Sequence, residues 1–362
     1  MDILEKAKIL THSGEYDSCG PRMCEVKVKS GLGGIYHAKA EHKTCRIFKT
    51  LMNNTCTFDC KYCHNSVSCT KKSRKVNYEP DELARLFIHL TKSLGVHGLF
   101  LSSGVGKDVD NTTEKMLDAV HKLRFKHNFR GYVHFKILPG TSYELIKQAA
   151  ELSTRMSINI EAPNKGVINE MSSCKDFHKD ILKRQSWISR FKLAGGQATQ
   201  IILNELSTDK DVMKMMDWEY DNLDLKRIYF SAFRPVKGTK FENKEAESPL
   251  RQNHLYNIDF LRRNYEFKLK EFKEIMSDGM LPREDPKLAL AKANFEGVVD
   301  INQASYDELV RVPGIGPVTA KKIAGGYKIK KYEDLHKLGG WVERAKPFIE
   351  VDGKRQTSLI EF

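Results

Sequence analysis

Apolar positions follow two different periods between residues 46 and 235. Short apolar runs, typical of strands buried on both faces, alternate with longer stretches whose apolar positions recur every three or four residues, as in amphipathic helices. The pattern predicts strands at 46–55, 98–104, 132–138, 156–163, 198–204 and 227–236. It predicts helices at 79–95, 111–125, 142–152, 177–196 and 209–223.

Six strand–helix repeats indicate an α/β fold, a partial (β/α)6 parallel barrel whose site lies at the carboxyl ends of the strands. A doubly wound open sheet has the same periodicity and stays open as an alternative. We expect four regions: a Cys/Gly-rich N-terminal extension, the barrel, a helical extension of the barrel, and a small all-α C-terminal domain. Their predicted bounds are 1–45, 46–240, 241–296 and 297–362.

The C-terminal domain contains a glycine-rich hairpin, Val312-Pro313-Gly314-Ile315-Gly316-Pro317, between two short apolar-patterned segments. Glycines allow a tight turn that brings backbone N–H groups close to an anion. The pattern resembles the helix-hairpin-helix motif, which grips a nucleic-acid phosphate. The predicted nucleic-acid-binding residues are Gly314, Ile315, Gly316, Thr319, Lys321 and Lys322. A helical pair used for protein contacts is the alternative.

Charge supports a polyanionic partner. The 362-residue chain has a net charge of +13, and residues 310–346 hold nine Lys/Arg against three acidic residues. Lysines and backbone amides on phosphates give sequence-independent affinity. The chain has no run of eighteen apolar residues and no secretion signal, so we expect a cytoplasmic protein without a membrane partner.

Three of the eight cysteines lie within eight residues, in the loop after the first predicted strand: Cys56, Cys60 and Cys63. Thiolates favour zinc or iron–sulfur clusters. A structural zinc site needs four ligands, so a zinc knuckle would borrow Cys69, His64 or Cys45. Three thiolates on a [4Fe–4S] cluster instead leave one iron open to a small molecule.

The spacing of these cysteines, with Tyr62 before the last of them, resembles the signature of the radical S-adenosylmethionine (radical SAM) superfamily. The resemblance implies a [4Fe–4S] cluster on Cys56, Cys60 and Cys63, and S-adenosylmethionine (SAM) bound at the open iron. It implies reductive cleavage of SAM to a 5′-deoxyadenosyl radical, and therefore an electron donor such as ferredoxin or flavodoxin.

Further cofactor-binding residues follow from the same resemblance, with Tyr62 among them. Ser102, Ser103 and Gly104 stand where the family usually has a Gly-Gly-Glu-like stretch for the SAM amino group. Asn159 and Glu161, at the end of strand four, are placed to meet SAM, or else they are polar residues that cap a strand. Lys136 and Arg234 are candidates for the pocket or for a solvated rim.

The remaining cysteines leave a second metal site open. Cys19, Cys24, Cys45 and Cys69 are sufficient in number, but their spacing is not diagnostic. We expect Cys174 to be an ordinary thiol.

Almost the whole chain resembles a family of radical SAM proteins with a C-terminal helix-hairpin-helix, described as nucleic-acid modification or repair proteins and linked in bacteria to a uracil-DNA glycosylase-like protein. The resemblance implies a radical SAM enzyme acting on DNA. Two alternatives stay open: an enzyme that methylates or inserts sulfur into tRNA or rRNA, and a non-catalytic iron–sulfur protein that binds nucleic acid or senses redox state.

Overall fold

The computed structural model describes residues 1–15, 24–25, 31–40, 43–71 and 73–353. Within this part of the chain, eight strands form one sheet in the order of the sequence. They are β1 Cys24–Glu25, β2 Ile35–Ala40, β3 Lys43–Leu51, β4 Gly98–Ser102, β5 Tyr132–Lys136, β6 Arg155–Ser157, β7 Gln197–Leu203 and β8 Leu225–Ala232. Cys19 lies outside the described residues, and only the backbone of Cys24 is described.

The six strands from β3 to β8 are parallel, each paired with the next along the chain. A doubly wound sheet reverses its strand order at a switch point, and this sheet does not. The predicted partial barrel is therefore confirmed and the open-sheet alternative is wrong. At one edge the antiparallel pair β1–β2 adds to β3, an extension that the sequence pattern did not predict.

Helices cover the parallel strands. They are α1 Ile3–Ser13, α2 Pro80–Leu94, α3 Val109–His121, α4 Tyr143–Leu152, α5 Lys165–Met171, α6 Lys183–Ile188 and α7 Asp209–Leu223. Two π-helical turns, Lys122–Lys126 and Phe177–Leu182, extend α3 and precede α6. Helix α2 shows why the pattern was readable: Glu79 and Glu82 form a capping box, Pro80 begins the helix, and Gly95 ends it at φ 61°.

Two predicted elements end far earlier in the structure than predicted, by six and eight residues. Strand β6 ends at Ser157 instead of running to residue 163. Beyond Ser157 the Thr199 hydroxyl replaces backbone partners of the sheet, because it accepts the Ile160 N–H and donates to the Ile158 carbonyl. The helix predicted to run to residue 196 ends at Ile188. Beyond this helix, the Gly195 N–H donates to the carbonyl of Thr154, the residue before β6, at 2.7 Å, so the backbone here bonds to the sheet and does not continue the helix.

The chain divides into two compact units. The barrel unit comprises 1–207 with 214–249, and the hairpin unit comprises 208–213 with 250–362. The second contains α8 Pro249–Tyr265, α9 Leu269–Phe272, α10 Pro286–Asn294, α11 Tyr306–Arg311, α12 Pro317–Ala324, α13 Tyr332–Lys337, α14 Val342–Ala345 and the two-residue strands β9 Val299–Asp300 and β10 Ile349–Glu350. Its apolar core includes Leu309, Val312, Ile315 and Ile323. None of the described helices is both long enough and apolar enough to cross a membrane.

Candidate active site and nucleic-acid interface

The cysteine loop leaves the carboxyl end of β3 and is fastened to the loop after β4. The Met52 N–H donates to the Ser102 carbonyl at 2.7 Å, and the Thr57 N–H donates to the Val105 carbonyl at 2.8 Å. These bonds place the three cysteines at the edge where the carboxyl ends of the parallel strands meet, which is where α/β folds build their sites.

The three thiols interact with one another in a largely desolvated setting. Cys60 is buried, and Cys56 and Cys63 are half-buried. Burial and the neighbouring Cys60 raise the pKa of Cys63 to about 12. Burial also raises the pKa of Cys56, against the opposing effect of backbone N–H groups directed at its sulfur. Three adjacent thiolates therefore need a cation, which the iron of a cluster would supply while the N–H groups bond the sulfurs.

Asp59, between the first two cysteines, clamps a loop more than a hundred residues away. Its carboxylate accepts the Ser172 hydroxyl at 2.7 Å, the Ser173 N–H at 3.1 Å and the Cys174 N–H at 3.3 Å. Although burial opposes ionisation, these bonds lower the pKa of Asp59. The clamp fixes the segment after α5 against the cysteine loop and so carries the next residue, Lys175, into the site.

Lys175 is a buried cation beside the thiols, and sequence reasoning missed it. Its Nζ donates to Tyr62 Oη at 3.3 Å and lies 3.9 Å from Glu161 Oε1. Burial alone lowers the pKa of an ammonium, yet the neighbouring Cys60 and Glu161 raise the pKa of Lys175 above its ordinary value. No local pattern marks this lysine, because only the clamp by Asp59 brings it to the cysteines.

Glu161 has the left-handed backbone conformation at φ 63°, rare for a residue with a side chain. Two sheet bonds hold it there: its N–H donates to the Gln200 carbonyl, and its carbonyl accepts the Ile202 N–H, both at 2.9 Å. The side chain is buried next to Lys175. Backbone strain of this kind concentrates at functional sites. Tyr62 and Glu161 thus both lie next to the Lys175 ammonium. Burial together with Glu161 raises the pKa of Tyr62.

Ser102, Ser103 and Gly104 lie against the first residues of the cysteine loop. The Ser103 hydroxyl accepts from Asn53 Nδ2 at 2.8 Å, and the Gly104 N–H donates to the Asn53 carbonyl at 2.8 Å. A side chain at Gly104 would place its Cβ 2.5 Å from the Thr55 carbonyl oxygen. The stretch therefore secures the loop, and its contact with SAM stays a prediction.

A polar cavity lies inside the barrel, and Asn159 and Lys136 both face it. Its lining comprises Phe100, His134, Lys136, Ser157, Asn159, Thr199, Gln200 and Tyr229. Nε2 of His134 bonds the Ser157 hydroxyl at 2.8 Å, and burial with the nearby Arg155 and Lys136 lowers the pKa of His134, so the ring is neutral. Arg234, the other pocket candidate, is exposed.

The remaining described cysteines do not join the three at one ion. Among the described residues, no three His, Cys, Asp or Glu side chains are close enough to hold a single metal ion. Thiolates on a [4Fe–4S] cluster bind different irons and need not converge on one point. Cys45 and Cys69 each bond a backbone carbonyl, of Arg46 and Lys71 respectively, and Cys174 is exposed.

The glycine hairpin connects α11 and α12 in the second unit. Gly314 has φ 86°, and a Cβ there would lie 2.3 Å from the Trp341 carbonyl oxygen, so only glycine fits. Gly316 is the N-cap of α12. Ile315 is buried in the core, and the Thr319 hydroxyl donates to the Leu338 carbonyl at 2.9 Å. These two side chains support the hairpin rather than face solvent.

The predicted lysines lie on the surface of α12, where Lys321 and Lys322 are exposed. A third lysine, which the sequence did not single out, supports the hairpin from within the unit. Lys287 on α10 donates 2.7 Å to the Ile315 carbonyl and lies 4.7 Å from the centre of the Tyr265 ring. Burial lowers the pKa of Lys287 to about 7 despite the nearby Asp285.

Two known family patterns match parts of this chain. The pattern of the radical SAM superfamily matches residues 50–218, which include the cysteine loop, Glu161 and Lys175. The chain carries a radical SAM domain. The helix-hairpin-helix motif matches residues 294–340 of the second unit. The cofactors of the radical SAM domain are a [4Fe–4S] cluster and SAM, and the thiol donor set fits the cluster.

Solved structures with a similar fold include a hydrogenase maturase, HydG, and methylornithine synthase, PylB. Both are 13% identical with a TM-score of 0.48; the alignments cover 59% and 60% of this chain, and 49% and 61% of theirs. A third, anSMEcpe with bound AdoMet, is 13% identical with a TM-score of 0.46, covering 61% of each chain. This chain thus spans one half to three fifths of their length. Comparison with curated proteins found no match.

Proposed function

We propose that this chain is a radical SAM enzyme that modifies or repairs nucleic acid, with DNA as the favoured substrate. The observation that carries the proposal is the presence, in one chain, of a largely desolvated thiol trio beside a buried lysine and of a glycine hairpin with exposed lysines. The first is suited to radical chemistry, and the second to a phosphate backbone.

In this proposal Cys56, Cys60 and Cys63 hold the cluster. When bound, the cluster and SAM supply a radical that abstracts hydrogen from the substrate. Lys175 would pair with the SAM carboxylate, because its ammonium is buried beside the thiols and the neighbouring anionic groups keep it protonated. Glu161 and Tyr62 would orient Lys175 and receive the SAM amino group.

The polar side chains around the barrel cavity are proposed to contact the target base. Asn159 and Gln200 offer amide groups, and His134 and Tyr229 offer rings with polar atoms. Amides hydrogen-bond base edges and aromatic rings stack on base faces, as in enzymes that extrude a base from its helix.

The hairpin unit would hold the phosphate backbone through the N–H groups at the start of α12 and through Lys321 and Lys322. A ferredoxin- or flavodoxin-type electron donor is part of the proposal. A uracil-DNA glycosylase-like partner stays a prediction from the family resemblance.

Anaerobic reconstitution with iron and sulfide, followed by reduction in the presence of SAM, tests the enzyme proposal. We expect 5′-deoxyadenosine and methionine, with the rate increased by DNA more than by tRNA. Greater activation by tRNA would favour the RNA-modifying alternative, and reduction without SAM cleavage would favour the non-catalytic one. Mass spectrometry of nucleosides from cells lacking the protein would then identify the modified base.

A further inference from the structure

Trp341 is an exposed aromatic residue in the loop before α14. It is 58% exposed, against 41% for Trp218 in the barrel unit. Single exposed apolar residues are common on protein surfaces, so position and contacts must decide whether this one has a role.

The position of Trp341 is fixed by the glycine hairpin. The Trp341 N–H donates to the Gly314 carbonyl at 2.8 Å, and the Trp341 carbonyl oxygen lies 2.3 Å from the place that a Cβ of residue 314 would take. The Thr319 hydroxyl, bonded to the Leu338 carbonyl, provides a second link between the two loops. The backbone that carries the indole is therefore attached directly to the predicted phosphate-binding turn.

A cation covers part of the indole. The Arg344 guanidinium lies 4.4 Å from the ring centre, and its Nη1 is 3.4 Å from Asp285 Oδ2. Stacking of this kind orients the ring and adds positive charge beside it. Val318, on the first turn of α12, is 67% exposed, so the hairpin presents a second apolar side chain to solvent.

We infer that Trp341 is a stacking platform for an unpaired nucleobase, and that the second unit therefore prefers single-stranded or locally unpaired nucleic acid to continuous duplex. The inference rests on the proposed function, because it needs a nucleic-acid ligand. Residues 310–346 carry an excess of six positive charges for the phosphates, and the indole supplies a surface for a base. Within a continuous duplex, stacked neighbours cover the base faces, so only an unpaired base is available to the ring.

Binding of full-length protein to three labelled oligonucleotides tests the inference: a single strand, a continuous duplex, and the same duplex with one bulged base. We expect Trp341→Ala to weaken binding of the single strand and the bulged duplex about tenfold, as for loss of a base-stacking aromatic, and to leave the continuous duplex within about twofold. Trp341→Phe should retain most of the affinity. Trp218→Ala is the matched control, since it removes an exposed indole from the other unit.

Fluorescence gives a second readout that a merely structural role would not change. In a Trp187→Phe, Trp218→Phe protein, Trp341 is the only indole. Stacking on a base should quench its emission with the single strand and the bulged duplex, and much less with the continuous duplex. Because the backbone bond to Gly314 survives substitution by alanine, the thermal melting of Trp341→Ala should stay close to that of the wild type.

The outcomes separate this inference from the proposed function. If Lys321→Glu with Lys322→Glu weakens all three ligands while Trp341→Ala changes none, the hairpin binds nucleic acid and the stacking platform is wrong. Equal losses for all three ligands with Trp341→Ala would also overturn it. If the wild type binds none of them, both proposals fail, and protein contacts become the role of this unit.

Discussion

Each compact unit holds a lysine beside its predicted site, Lys175 buried and Lys287 half-buried, and the pKa values of these two lysines are shifted in opposite directions. In the barrel unit, Cys60 and Glu161 raise the pKa of Lys175. In the hairpin unit, Lys287 donates to the Ile315 carbonyl, and burial outweighs the nearby Asp285 and lowers the pKa of Lys287 to about 7. A buried charge is stable where anionic groups surround it and costly where they do not.

The two proposed sites are built in different ways. The barrel site is made of buried side chains that depend on one another, so removal of one should abolish function. The hairpin site is made of backbone turns and exposed lysines, so its binding should be distributed and sensitive to salt. Substitutions in the two units should therefore differ in size and in which activity they affect.

The largest effect is expected for Cys60→Ala. Loss of one of three thiolates should prevent cluster assembly, so SAM cleavage should fall to background, while the affinity for nucleic acid stays within about twofold because the hairpin is untouched. Iron content, visible absorption and 5′-deoxyadenosine formation measure the first effect, and oligonucleotide binding the second. Normal iron content in this variant would contradict the assigned ligand set.

The second largest effect is expected for Lys175→Met. In the proposed site, loss of Lys175 leaves the SAM carboxylate without its buried cation, at a cost of about 2–5 kcal/mol in binding, so kcat/KM for SAM cleavage should fall about a hundredfold. Lys175→Arg should recover part of it. The cluster should still assemble, since the thiolates remain, and iron analysis checks this. Unchanged SAM cleavage in Lys175→Met would remove this lysine from the cofactor site.

Lys321→Glu combined with Lys322→Glu should weaken nucleic-acid binding about tenfold, with SAM cleavage in the absence of nucleic acid unchanged. Each lost phosphate contact should also reduce the slope of log affinity against log salt concentration by about 1. Titrations at several salt concentrations measure both. A lower affinity with an unchanged slope would mean that these lysines do not touch phosphates.

The smallest effect is expected from Lys287. With a pKa of about 7, this side chain is mostly neutral at pH 8 and mostly protonated at pH 6, so acidification adds a positive charge under the hairpin. Affinity for a nucleic acid should therefore be about two- to threefold higher at pH 6 than at pH 8, as for one partly screened charge. Lys287→Met should reduce this pH dependence, and Lys292→Met, an exposed lysine on the same helix, should not.

Local sequence patterns were sufficient to predict the helices and strands of the barrel. Capping residues and Gly95 delimit α2 within one residue of the predicted bounds, and the apolar runs identify all six parallel strands. The exception was β6, where the Thr199 side chain from a neighbouring strand replaces the ladder. The sequence around residue 157 does not reveal that a side chain replaces these backbone hydrogen bonds, because the hydroxyl comes from about forty residues away.

By itself, the sequence determined the succession of strands and helices, the spacing of Cys56, Cys60 and Cys63, and the glycine turn at Gly314. All three depend on residues close together in the chain. The tertiary structure decided which side chains complete the sites: Asp59 binds the loop that delivers Lys175, and Gly314 holds Trp341 against the hairpin. These pairings depend on contacts between distant segments, and such contacts exist only once the chain has folded.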